Sequence, residues 1–238
     1  MATVILARHG RTTANASGVL AGRSKGVHLD DLGLDQSRNA GVRMATLPLD
    51  AIVSSPLERC RETAREIART QTTPAKVITE RRLLECDYGS WTGQELKTLA
   101  KDPLWKTVQA HPAAAAFPEG ESMAEMTARA VAAIRDWDGR VEAEHGPDSV
   151  WVAVSHGDVI KAIVADALGM HLDLFQRIVV EPGSLSIIRY TPLRPFLVSL
   201  NSVAGDLVGL KPVRKRRQRS RSDGEVGGGA GTPAGRTT

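Results

Sequence analysis

Cysteine is nearly missing from this chain: Cys60 and Cys86 are the only two in 238 residues. So few thiols exclude a disulfide-stapled scaffold and fit a reducing, cytoplasmic setting. Long apolar runs are missing too. None approaches the roughly 18 residues that a membrane helix needs, and the N-terminus has no basic stretch leading into an apolar one. Neither a membrane span nor a secretory signal is expected. The body of the chain also lacks an excess of one charge. The net charge is +4, but eight basic and only two acidic residues lie from Lys211 onward, which leaves residues 1–210 at about −2. A nucleic-acid-binding reading of the whole chain has no basic surface to stand on.

What remains is ordinary globular composition, 42% apolar and 24% charged, in a length that suits one domain with a sizeable core. Residues 1–210 form the expected domain. The segment 211–238 joins a basic cluster to Gly227-Gly228-Gly229 and reads as a solvated, disordered tail. Nucleic acid enters the expectations only through that tail.

Strands and helices alternate through the domain. Thr3–Arg8 reads as a buried strand, and Asp30 as the N-cap of a helix running to about Ala45. A second strand covers Ala51–Ser54, after which Pro56 opens a helix to about Arg69. A short third strand holds Val77 and Ile78. Ser122 and Glu125 frame a capping box for a long helix ending by Gly146. Val150–Ser155 is a strand, the next helix runs from about Asp158 to Leu168, and 184–189 and 196–200 form an antiparallel edge pair. The expected fold is α/β: a three-layer sandwich with a mostly parallel sheet, an antiparallel edge and helices on both faces.

One arrangement occurs twice. Arg8-His9-Gly10 ends the first strand and Ser155-His156-Gly157 ends the strand at 150–155. Ligands of open α/β sheets bind at the carboxyl ends of the strands, so both histidines can face one site. A neutral imidazole is a nucleophile near pH 7, and attack on phosphorus would give a phosphohistidine. A phosphoryl group needs cations and N–H donors around its oxygens. Arg8 adjoins His9, and Arg59 falls in the first turn of a helix after a strand, where a guanidinium can grip phosphate bidentately. Taken singly, each of these residues is better read as a structural histidine or a solvated charge. A carboxyl group must also protonate the leaving oxygen, and spacing does not separate Glu85 from Asp87 in that role.

Together the segments resemble the histidine phosphatase superfamily, in its phosphoglycerate-mutase-like branch. Arg8-His9-Gly10 with Thr12 and Asn15 is similar to its opening motif. The run 54–64, from Ser54-Ser55-Pro56-Leu57 through Arg59 to Thr63-Ala64, is similar to its second segment. Leu84-Glu85-Cys86-Asp87-Tyr88-Gly89 leading to Trp91 and Gly93, Pro118-Glu119-Gly120-Glu121-Ser122, and Val154-Ser155-His156-Gly157 follow in the family's order. The resemblance covers about Thr3 to Asp206. It implies that His9 is the phosphorylated nucleophile, that Arg8, Arg59 and His156 form the phosphate pocket, and that Glu85 is the proton donor. Asn15, Gly22 and Arg23 are implied as further substrate contacts.

No cofactor and no metal are implied, and no His, Cys or Asp cluster has metal-ligand spacing. The implied partner is a small phosphomonoester; a homodimer stays open. Two departures favour hydrolysis over a mutase activity. Arg11 stands where mutases of the family carry Glu, and residues 93–118 leave little room for the long Arg-containing insert that holds a bisphosphate. The segment 93–121, with Lys97, Lys101, Trp105, Lys106 and Phe117, is expected to form part of a lid. A catalytically silent binding module is disfavoured because His9 and Glu85 are both present. Cys60 and Cys86 read as buried core residues.

Overall fold

The computed structural model describes residues 2–73 and 76–203. The tail expected at 211–238 lies outside the described residues, as does the end of the resemblance at Asp206.

The chain runs β1 (Thr3–Arg8), α1 (Thr13–Ser17), α2 (Asp31–Met44), β2 (Leu49–Ser54), α3 (Glu58–Arg69), β3 (Val77–Thr79), α4 (Leu96–Leu99), α5 (Pro103–Ala110), α6 (Met123–His145), β4 (Val150–Ser155), α7 (Gly157–Ala167), β5 (Leu185–Arg189) and β6 (Phe196–Ser202). Six strands make one sheet in the order β3-β2-β4-β1-β5-β6. The first four are parallel, and β5 and β6 add antiparallel at one edge. The expected architecture holds.

β1 shows no alternation of apolar and polar residues because both of its faces are covered. Val4 and Leu6 join a core built with α6 and α7, around Trp151, Met126, Ile134 and Ile163. Ile5 and Ala7 join a second core with Ala40 and Met44 of α2 and Ala64 and Ile67 of α3. The helices after β1 and β4 therefore leave to opposite sides of the sheet. These two strands are neighbours, and such a divergence opens a crevice at their carboxyl ends.

The termini follow local chemistry. Asp30 caps α2 by accepting from Gly33 N–H, and Ser122 and Glu125 form the reciprocal box that starts α6. Pro56 behaves differently from expectation. The backbone of Leu57 is extended, with φ −68° and ψ 143°, so α3 begins only at Glu58. Leu57 is buried, and its extended turn swings the chain so that Arg59 leaves the first helical turn toward the sheet.

The segment 93–121 is packed onto the core. It forms α4 and α5, and its aromatic residues turn inward. Trp105 stacks on Trp91 with ring centroids 6.0 Å apart, and Phe117 meets Tyr88 at 4.9 Å and Trp91 at 5.3 Å. Apolar burial, not a substrate face, fixes their place. Lys97, Lys101 and Lys106 remain exposed.

Candidate active site

Three strand ends converge. Arg8 pairs with Ser155 in register, so His9 and His156 leave β1 and β4 at the same level. His9 N–H donates to Ser155 O at 3.0 Å, and Ser55 N–H at the end of β2 donates to Val154 O at 2.9 Å. The two imidazole rings lie 5.3 Å apart, inclined at 62°. His9, His156, Arg8, Arg59 and Glu85 are all at most 4% exposed. Five ionisable side chains are thus gathered where few would be placed for packing alone.

His9 is held in one tautomer. Its Nδ1 lies 2.7 Å from Gly10 O, and a carbonyl only accepts. Nδ1 therefore carries the hydrogen and Nε2 keeps its lone pair. The turn that makes this bond is itself pinned: Gly10 N–H donates to Thr63 Oγ1 at 3.1 Å. A Cβ on Gly10 would fall 2.2 Å from Gly33 O, and one on Gly33 would fall 2.0 Å from Arg11 O. Backbone meets backbone here with no room for any side chain. Burial, then the charges of Arg59 and Arg8, hold His9 well below the usual imidazole range, so it is neutral near pH 7.

The cations are fixed as well. Arg8 Nη1 donates to Val180 O at 2.7 Å. Arg59 Nη2 donates to Gly22 O at 2.8 Å and meets His156 Nδ1 at 3.2 Å. Its Nη1 is buried without a protein partner among the described residues, a donor with capacity left for an anion.

Glu85 faces His156, with Oε2 4.0 Å from Nδ1, while Oε1 accepts the Cys86 N–H at 2.9 Å. Burial, reinforced by the negative charge of Asp158, pushes its carboxyl up to about 7; Arg59 and Arg8 pull the other way and lose. Asp87 is separated from this role. Its Oδ2 pairs with Arg23 at 3.1 Å and its side chain is partly in solvent. The two carboxyls that spacing left undivided thus differ in environment, and Glu85 alone faces the histidines.

The other expected contacts make bonds within the protein. Gly22 offers its carbonyl to Arg59. Arg23 stands behind Glu85: Nε donates to the Glu85 carbonyl at 2.9 Å, Nη1 to Asp87, and Nη2 to Glu121 at 2.8 Å. Asn15 belongs to a capping box, its Oδ1 accepting from Thr12 N–H at 3.1 Å and Thr12 Oγ1 at 2.9 Å.

Several participants carried no assigned role in the sequence reading. Arg129 of α6 donates to the carbonyls of Arg82, Leu84 and Glu85 and pairs with Glu121, clamping the segment that carries Glu85. Burial would raise the Glu121 carboxyl, but its bonds to Arg129 and Asp87 N–H prevail and keep it low. Asp158 accepts from the buried Tyr88 hydroxyl at 2.8 Å and lies 3.5 Å from Lys161. Only its position two residues after His156 hinted at this, and an acid in a first helical turn is commonplace. Cys60 lies 3.5 Å from His156 Nε2, and burial pushes its thiol up to about 12. It is an un-ionised core side chain.

Among the described residues no group of three or more His, Cys, Asp or Glu side chains is placed to hold a metal ion. No helix among them is long and apolar enough to cross a membrane.

Comparison with known proteins agrees with this geometry. The chain is 30% identical over 207 residues to phosphoserine phosphatase 1 of Hydrogenobacter thermophilus, covering 84% of this chain and 92% of that protein. It is 31% identical over 211 residues to a protein of an Enterobacter species named "Probable phosphoglycerate mutase GpmB", covering 87% and 94%. Among solved structures, phosphoserine phosphatase of Entamoeba histolytica, in complex with 3-phosphoglyceric acid, superposes with a TM-score of 0.74. That match has 25% identity and covers 85% of this chain and 98% of that one. Bacillus stearothermophilus YhfR, at 23% identity and a TM-score of 0.77, shares the fold. The sequence model of the histidine phosphatase superfamily, branch 1, matches residues 4–203, and the chain belongs to that family.

Proposed function

We propose that this protein hydrolyses a small phosphomonoester through a phosphohistidine on His9 and needs no metal ion. The observation that carries this reading is the opposite bias of two buried groups. His9 is kept neutral with Nε2 bare, while Glu85 is kept protonatable near pH 7. A nucleophile and a proton donor are thereby available together at one pH.

In the first step the Nε2 lone pair attacks phosphorus and the P–O bond to the leaving group breaks. Glu85 gives its proton to the departing alkoxide. In the second step the Glu85 carboxylate takes a proton from water, the water oxygen bonds to phosphorus, and the N–P bond breaks to release phosphate. Arg8 and Arg59 supply the positive charge that a metal ion supplies in other phosphoryl-transfer sites. His156 completes the pocket, and the Asn15 Nδ2 amide is a further donor for substrate. Arg23 acts through Glu85, as a brace behind its backbone.

The relatives named phosphoserine phosphatase make phosphoserine the first substrate to try. The test is a panel of phosphomonoesters with EDTA present. Phosphate release with an acid-labile phosphoenzyme is the expected result. Activity lost to EDTA and restored by a divalent ion would remove the metal-free reading. Interconversion of 3- and 2-phosphoglycerate, primed by 2,3-bisphosphoglycerate and much faster than phosphate release, would replace hydrolase by mutase.

A further inference from the structure

His156 has two neighbours whose chemistry fixes where its proton sits. A guanidinium has no lone pair to offer, so the 3.2 Å bond between Arg59 Nη2 and His156 Nδ1 runs from arginine to imidazole. Nδ1 therefore accepts, and the neutral ring carries its hydrogen on Nε2. That hydrogen is directed at Ser55 Oγ, 2.9 Å away. The bare nitrogen is the one turned toward the site, since Glu85 Oε2 is 4.0 Å from it. An incoming phosphoryl oxygen would meet a lone pair there, which repels it.

We propose that Arg59 sets His156 as the Nε2–H tautomer, that Ser55, opposite Arg59, is a positioning residue that holds the ring by accepting this hydrogen, and that a proton arrives at Nδ1 together with the phosphate group. The inference rests on the phosphate-site reading above. The proton turns Nδ1 from an acceptor of the Arg59 hydrogen into a donor to a phosphoryl oxygen. Arg59 Nη2 is released at the same moment to bind the anion. The proton is the one that a phosphate monoester carries as its monoanion, with a second pKa of about 6, or one taken from solvent with the dianion. Both routes end with an imidazolium beside a bound dianion.

The groups around His156 support this order of events. Arg59 and Cys60 face it from α3, Arg8 from β1, His9 from the turn after β1, Glu85 from its loop and Arg129 from α6. In the empty site burial, then the charges of Arg59 and Arg8, keep the ring neutral. A dianion among the same cations reverses that balance. Ser55 holds the Nε2–H in both states, so the ring does not have to turn when it is protonated.

The test uses the full chain with 15N-labelled histidine. His156 is assigned as the ring signal lost in His156→Asn. At pH 7.5 without ligand, Nε2 should be protonated and Nδ1 bare. Saturation with inorganic phosphate should protonate both. Ser55→Ala should leave Nε2 protonated, since Arg59 still donates to Nδ1, but should weaken phosphate binding about fivefold, the scale of one hydrogen bond, and Ser55→Thr should restore it. A hydrogen on Nδ1 in the free protein, or a bare Nδ1 with phosphate bound, overturns the proposal. So does phosphate binding by Ser55→Ala as tight as that of the wild type. Failure to bind phosphate at all overturns the site reading as well, and the spectrum of the free protein distinguishes the two failures.

Discussion

His9 and His156 look like copies of one device, a strand that ends in histidine and glycine. In the fold they are opposites. His9 carries its hydrogen on Nδ1, given to a carbonyl within its own turn, and keeps Nε2 bare. His156 carries its hydrogen on Nε2, given to Ser55 on a neighbouring strand, and keeps Nδ1 for Arg59. Both are buried and both are neutral. The motif delivers an imidazole to the strand end; the acceptors around it decide which nitrogen can act. This difference is what the proposed roles rest on, one ring as nucleophile and the other as a switchable contact.

The sharpest way to break this comparison is to remove one ring at a time. His9→Ala should abolish the phosphoenzyme and lower kcat by roughly a thousandfold or more, because nucleophile and intermediate vanish together. Rapid quench with labelled substrate checks it. A mutant that still forms the acid-labile species at the normal rate would move the nucleophile elsewhere. Glu85→Gln comes next. It should slow hydrolysis of an alkyl phosphate by about 10²–10⁴-fold, the usual range for a lost general acid, and slow p-nitrophenyl phosphate far less. Equal losses on both substrates would mean that Glu85 does not protonate the leaving group.

A smaller effect sharpens the electrostatics. The proposed reaction needs Glu85 protonated at the start, so kcat/KM for an alkyl phosphate should fall as pH rises through about 7. Asp158 raises that carboxyl by repulsion. Asp158→Asn should therefore move the falling limb to lower pH, with the limb set by the histidines staying below pH 6.5. A pH profile of kcat/KM for the variant that coincides with the wild type would separate Asp158 from the proposed proton donor. The smallest expected effect is that of removing the basic segment at the end of the sequence. Deleting Lys211–Thr238 should leave turnover of small substrates within about twofold, less than about 0.5 kcal/mol in barrier height. A large fall in kcat would tie that segment to the site.

Much of this was legible before any coordinates. β1 and β4 stand as continuous buried runs, and Asp30, Ser122 and Glu125 announce their helices through capping chemistry that is local by nature. His9, Arg59, Glu85 and His156 were recognisable because each sits in a short segment with its own pattern. What escaped was set by long-range partners. Nothing around Trp105 says that Trp91 awaits it. Arg23 carries no mark that its nitrogens will be spent behind Glu85, 62 residues away. Ser55 lies in a patterned segment, yet its partner is 101 residues downstream, and only the fold joins them.

The contact between Gly10 and Gly33 has a consequence for how this chain can change. Each forbidden side chain would strike a backbone oxygen, not the other glycine's missing Cβ. Altering one position therefore cannot make room for altering the other, and no two-step route leads out. A library randomised at both positions and selected for activity should return glycine at each. The nucleophile's turn is in that sense a closed corner of sequence space, while the exposed lysines of the 93–121 segment remain open to drift.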